Sequence, residues 1–437
     1  MRAAQILSAT IVILATIKDV LFFSLSGFFG FQYTGSNESS AWMIFVAVSF
    51  VVTAAAFVAA CVRKPSTVII EVLLYAFVAL LLLNHLVWWL SELTLAALIP
   101  LPFLHFIAFS IPGILALRIL LAFDAWGTWV RIMHATSVII SIGIAVSVLL
   151  PFALGIGEVL VTSGLSMLGG ANAQSASYFA SFAFGLLGYY LFRADPALML
   201  QTLSGPLARV LQLFLWGCMG LATIVNGGRG GLLLMLIYFF LHLYWMSVGA
   251  KITYQSLCKI TALLLVLPPS LLTLYAHLES SEIFGIGFRR ALDMFLVLNR
   301  NEVVSLADAS SNRDQVLIVA LEGIANAPLV GYGAFNHWSR VIQPHNFFLD
   351  LALQFGVPAA IILIVIGLTL MLLNLRPPSP ERSFIIVLGL YPLTLVTFSS
   401  GYFLQPLLWV VVGGLVIPWR GQMRHFSAAG DVSVTLK

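Results

Sequence analysis

Apolar runs of about 20 residues, the length a helix needs to cross the hydrocarbon core of a bilayer, follow one another along most of this chain. Twelve can be read, at approximately 5–26, 41–62, 68–90, 93–117, 132–153, 175–192, 207–225, 231–249, 258–276, 346–373, 384–399 and 402–418. The first is too long for a removable signal peptide and lacks its cleavage pattern. Such runs leave 61% of the 437 residues apolar and only 9% charged, against about 45–50% and about 25% in soluble domains. No water-soluble fold hides so much apolar surface. A soluble enzyme, a disordered chain and a nucleic-acid binder are excluded, and the net charge of +4 is scattered through short loops. Cys61, Cys218 and Cys258 lie in apolar runs without paired spacing, which argues against a disulfide framework or a zinc site. The expected fold is an all-α polytopic membrane protein of about 12 transmembrane helices.

Lys and Arg stay on the cytoplasmic side of short loops. With the N-terminus inside, 14 of the 21 basic residues fall on the cytoplasmic side. The first three outer loops, at about 27–40, 91–92 and 154–174, hold no Lys or Arg. Both termini are therefore expected inside. Lys18 is left within the first run. Adjacent helical residues point about 100° apart, so Lys18 and Asp19 need not face one cavity. The other charges avoid mid-membrane. Arg229, Arg289, Arg290, Arg300, Arg313 and Arg340 are outside, in only two places: the turn at 226–231 and the loop 277–345. The chain divides into N-terminal helices (1–225), an arginine turn with two spans (226–276), the outer loop (277–345), C-terminal helices (346–418) and a cytoplasmic tail (419–437).

The turn reads Asn226-Gly227-Gly228-Arg229-Gly230-Gly231 directly before a helix. Glycines let backbone approach a ligand closely, a helix N-terminus favours anions, and arginine grips phosphate bidentately. The alternative is an interfacial anchor whose stem snorkels. The outer loop is 69 residues long, with five arginines, seven acids and three histidines. Phe288 to Leu298 reads as an amphipathic interfacial helix. A second helix should start near Ser310-Ser311 and end at about Asn326, stopped by Pro328. Val316, Val319, Ala320 and Gly323 share one face of it. Gly331-Tyr332-Gly333, His337-Trp338-Ser339-Arg340 and Pro344-His345-Asn346 follow.

The stretch Arg313 to Pro358 resembles the segment shared by O-antigen ligases and O-antigen polymerases, multi-spanning bacterial glycosyltransferases of the GT-C kind. Arg313, Pro328, Gly331, Gly333, His345, Asn346 and Gly356 match its pattern. Gly228-Arg229-Gly230 matches the Ser-Arg-Gly-like turn of the same families, with glycine where serine is usual. Residues 226–358 carry the resemblance, and the remainder matches only in topology.

The resemblance implies a GT-C-like fold in the bacterial inner membrane, with a large, partly helical periplasmic loop as the catalytic region. It implies a glycan moved from an undecaprenyl-pyrophosphate carrier to a sugar hydroxyl on another lipid carrier or on lipid A–core. Partners would be that donor, that acceptor, membrane lipids and a chain-length regulator, with no nucleic acid. Neither cofactor nor metal is expected. Arg229 and Arg313 are candidate clamps for the leaving pyrophosphate, where positioned positive charge stabilises growing negative charge. Arg289, Arg290 and Arg340 are weaker binding candidates, with Gly228, Gly230, His337 and Asn346. His345 suits a general base, or it orients the acceptor or binds phosphate.

Plainer roles stay open. His345-Asn346 can be a helix cap, Asp350 a first-turn charge, and His337-Trp338 part of an interfacial aromatic belt. His85, His105, His134 and His242 read as packing or interface residues. A polymerase is favoured over a ligase by the loop at 155–175, and O-linked transfer of glycan to protein is a related option. A transporter or flippase is the rival of another class, with Pro268-Pro269 inside the ninth run as its best support.

Overall fold

The computed structural model describes residues 2–29, 40–64, 69–92, 99–153, 173–226, 228–249, 313–374, 380–399 and 401–416. Among them every regular element is helical. The run at 258–276 with Pro268-Pro269, the stretch Phe288 to Leu298, Arg289, Arg290 and Arg300, and the tail lie outside the described residues.

The helices are α1 (Arg2–Thr16), α2 (Lys18–Phe29), α3 (Ser40–Arg63), α4 (Ile69–Glu92), α5 (Leu101–Ala122), α6 (Trp126–Leu149), α7 (Ala173–Phe192), α8 (Pro206–Asn226), α9 (Arg229–Gly249), α10 (Arg313–Asn326), α11 (Phe347–Phe355), α12 (Val357–Asn374), α13 (Pro380–Phe398) and α14 (Pro406–Val416). Seven, in α3, α4, α5, α6, α8, α9 and α13, are long and apolar enough to cross a membrane. The chain is a helical, multi-pass membrane protein. Val48, Val51, Leu80, Leu83 and Val87 on α3 and α4 point outward, as lipid-facing side chains do.

Helix α7 sits at the centre of one half, enclosed by α6, α8, α9 and α13. Ser177, Ala180, Ser181, Ala183, Gly185 and Gly188 are small, so neighbouring backbones and rings close onto it. A Cβ at Gly185 would overlap the Tyr238 ring, and one at Gly188 the His242 ring. The same small polar residues lower its hydropathy, and α7 is not one of the seven apolar helices. Protein encloses it, not lipid. In the other half α5 is enclosed by α1, α3 and α14.

Among the described residues, two of the apolar runs are broken. The first bends by 84° between α1 and α2. There the fully buried Lys18 donates from Nζ to the Ala108 carbonyl at 2.8 Å and lies 4.3 Å over the Phe109 ring. Phe106–Ser110 is a π-helical stretch of α5. Its wider turn opens the helical ladder, so a carbonyl can take an outside donor. The tenth run splits at Gly356, whose φ of 80° ends α11.

Lys18, which the sequence reading left within the first run, is thus buried at its break. Arg118, counted from sequence as a loop residue, is buried near the end of α5 and bonds Glu71 of α4 at 3.1 Å. A buried charge needs a partner, and each of these cations has one.

Candidate functional site

The segment from α10 to α12 is fastened by backbone. Helix α10 stops at Asn326, two residues before Pro328, as the sequence indicates. Its buried face is Ala320 and Gly323, where a Cβ on Gly323 would lie 2.7 Å from Val341. Val319, expected on that face, is exposed. The turn after α10 then lies along the end of α11. Tyr332 N–H donates to Leu353 O at 2.7 Å, Gly333 N–H to Gln354 O at 3.0 Å and Val357 N–H to Pro328 O at 2.8 Å.

Gly331 and Gly333 have φ of 64° and 84°. A Cβ on Gly331 would sit 2.6 Å from the Gln354 backbone, and one on Gly333 would overlap the Trp88 indole. The motif glycines are thus required where this turn meets α11 and α4.

Helix α4 holds the next residues. Ala334 N–H donates to Asn84 Oδ1 at 2.7 Å, and His85 Nδ1 donates to Ala334 O at 3.2 Å. Arg340 is exposed and lies 5.1 Å over the Trp88 ring. His337, in the single turn His337–Arg340, does not face an interface. It is fully buried, and its Nε2 bonds Oδ1 of the buried Asp350 at 2.5 Å. Asp350 is indeed in the first turn of α11, and it is buried there as the partner of His337.

His345 and Asn346 open α11. Asn346 caps it, its Oδ1 accepting from Phe348 N–H at 3.0 Å and Leu349 N–H at 3.2 Å. Asn346 Nδ2 donates to Thr397 O at 3.2 Å, and His345 Nδ1 donates to Ser399 O at 3.2 Å. Thr397 in the last turn of α13 and Ser399 just after it thus give a carbonyl to each residue. A carbonyl only accepts, so Nδ1 carries the proton and Nε2 is the accepting nitrogen of the neutral ring. His345 adopts φ of 51°, the left-handed region that side chains rarely enter.

Arg229 is the first residue of α9 and is half-buried. The glycines around it are covered by α7. A Cβ on Gly228 would lie 2.7 Å from Ser177, and one on Gly230 would overlap the Tyr178 hydroxyl. Ser181 Oγ donates to Gly231 O at 2.6 Å. These glycines meet protein on the α7 side, so close packing already accounts for them.

Ser399 joins the two motifs. Its Oγ bonds Gln174 Nε2 at 2.6 Å and Tyr178 OH at 3.0 Å, while its carbonyl holds His345. The first two turns of α7 therefore lie between the backbone of the Gly228–Gly230 turn and Ser399, the residue that holds His345. Arg313 begins α10 in the fastened segment. His337 lies behind the turn, and Arg340 stands toward α4. Sequence reasoning missed Gln174, Tyr178, Thr397, Ser399 and the α4 contacts. Their only signal was a polar start to the α7 run and a Ser-Ser-Gly break near its partner.

The other described histidines, His105, His134 and His242, pack against neighbouring side chains. His134 Nδ1 accepts from Leu200 N–H at 3.3 Å and its Nε2 bonds Gln212 at 2.9 Å. His242 lies among the rings of Phe184, Trp216, Tyr238 and Trp245, and His105 against Phe109. Among the described residues no group of three or more His, Cys, Asp or Glu is placed to hold a metal ion.

No protein-family model matches the chain, and no curated protein matches it in sequence.

Proposed function

We propose that this chain is a glycosyltransferase that polymerises oligosaccharide repeat units carried on undecaprenyl pyrophosphate. In this reading twelve spans place both termini in the cytoplasm, and the Arg229–His345 site faces the periplasm of a bacterial inner membrane. The observation that carries it is the convergence of two motif elements, far apart in sequence, on Tyr178 and Ser399. It pairs an arginine at a helix N-terminus with a histidine whose tautomer is set by a carbonyl.

The chemistry needs those two groups. The acceptor hydroxyl oxygen attacks the anomeric carbon as the bond from that carbon to the pyrophosphate oxygen breaks. The hydroxyl proton passes to His345 Nε2. Negative charge grows on the departing lipid pyrophosphate, and Arg229, with Arg313, stabilises it. Gly228, Gly230 and Asn346 shape the site, and Arg289, Arg290, His337 and Arg340 are further candidates for holding the glycan or its phosphates. The Ser399 carbonyl, at the carboxyl-terminal end of α13, faces His345, a favourable setting for the charge it gains with the proton.

The decisive experiment is to remove the gene and separate the surface glycan by size. Lipid A–core carrying a single repeat unit supports polymerisation. Loss of a secreted or capsular polymer with normal lipopolysaccharide keeps the reaction and changes the product. Bare core, with long glycan gathered on the lipid carrier, makes the chain a ligase. A second reading, a transporter or flippase for lipid-linked glycan, is favoured by the 84° break of the first helix and the buried Lys18 beside it. Unchanged glycans throughout would remove the transferase reading.

A further inference from the structure

We infer that Tyr178 and Ser399 are the positioning pair that sets Arg229 against His345; the inference rests on the transferase reading for its consequence, but not for its geometry. Ser399 lies just after α13, which ends at Phe398, and it works in two directions. Its carbonyl orients the His345 ring through Nδ1 at 3.2 Å, and its hydroxyl reaches α7 through Tyr178 at 3.0 Å and Gln174 at 2.6 Å.

Tyr178 is 1% exposed, so its ring cannot swing aside into solvent. Its hydroxyl is also the atom that a Cβ on Gly230 would overlap. The residue after Arg229 therefore rests on the same oxygen that holds Ser399. Ser177 fixes the other side of the turn, and a Cβ on Gly228 would lie 2.7 Å from it. One phenol and one serine thus form the short path between the arginine turn and the histidine. Neither touches a reacting atom in this reading. Such supporting hydrogen bonds matter because a small displacement of a reacting group lowers its rate steeply.

The pair is tested by Tyr178→Phe and Ser399→Ala, which remove the hydroxyls and keep most of the packing. Ser399→Thr restores the hydroxyl. With purified protein and a synthetic undecaprenyl-pyrophosphate-linked oligosaccharide as donor and acceptor, each hydroxyl deletion should lower kcat about tenfold or more. The donor KM should stay within about twofold, because Arg229 itself is retained. The double variant should be no slower than the slower single variant, since both remove one shared bond, and Ser399→Thr should recover most of the rate.

Geometry is read separately. Spin labels at Leu221→Cys and Phe348→Cys, both exposed in the wild type, report the separation of the turn before Arg229 from the helix opened by His345. Native cysteines are replaced first. Tyr178→Phe should broaden that distance distribution. Unchanged kcat with an unchanged distribution overturns the inference, as do additive losses in the double variant. A wild-type protein that transfers no glycan removes the functional reading alone, and the label distances still decide the positioning role.

Discussion

His337 Nε2 hydrogen-bonds Asp350 Oδ1, and both residues are buried. The bond ties the start of the 337–346 connection to the first turn of α11, so the loop that delivers His345 is closed at both ends. Removing one partner of a buried pair strands the other. Asp350→Ala should therefore destabilise by about 1–3 kcal/mol, read as a lower unfolding midpoint in detergent. His337→Phe combined with Asp350→Leu should recover much of that loss, because an apolar pair of similar volume leaves no hydrogen-bonding group stranded. An Asp350→Ala protein with an unchanged midpoint would show that the bond does not hold this loop.

Arg229 should tolerate no replacement. Arg229→Ala should abolish transfer while the protein still inserts and folds, as assayed by membrane yield and by surface glycan on a gel. Arg229→Lys should rescue poorly, since a point charge does not reproduce a bidentate fork on a pyrophosphate. Near-normal glycan from the alanine variant would remove the clamp role.

The apolar runs were legible because span length and hydropathy are local properties. Helices α3, α4, α8 and α9 fall within a few residues of the runs read from sequence. The break in the first run was not legible. It depends on Lys18 meeting the Ala108 carbonyl, on a helix about ninety residues away. The glycines of the Gly331-Tyr332-Gly333 turn were legible as a turn, but not their partners on α11 and α4. At the candidate site, Arg229 stood out by its charge and glycine-rich setting, and His345 and Asn346 through the family resemblance of the segment that carries them. Tyr178 and Ser399 did not, because a tyrosine early in one helix and a serine after another look like ordinary span ends until the fold joins them.

Gly356 should be the least replaceable glycine of the fastened segment. Its φ of 80° and ψ of 165° lie in a region open essentially to glycine alone. A Cβ there would also overlap the Leu329 carbonyl. Gly356→Ala should therefore destabilise by more than Asn346→Ala, which removes only the cap of α11 and costs about 0.5–2 kcal/mol. Comparing the two unfolding midpoints checks the order. The reverse order would mean that α12 does not need the bend to reach its place.

His345 offers a test in which stability and activity part. Its φ of 51° places a side-chain-bearing residue in the left-handed region, which costs roughly 1–2 kcal/mol for a residue other than glycine. His345→Gly relieves that strain and His345→Ala does not. The glycine variant should therefore unfold later than the alanine variant by an amount of that order, although both lack the imidazole. Both should lose transfer by about 10²–10⁴-fold, the usual contribution of a general base, with donor binding retained. Paired midpoints and single-turnover rates give the answer. Should donor binding fall while single-turnover chemistry is unchanged, His345 holds substrate rather than taking its proton. Should the glycine variant unfold earlier than alanine, the left-handed turn is not a strain held in place for the site.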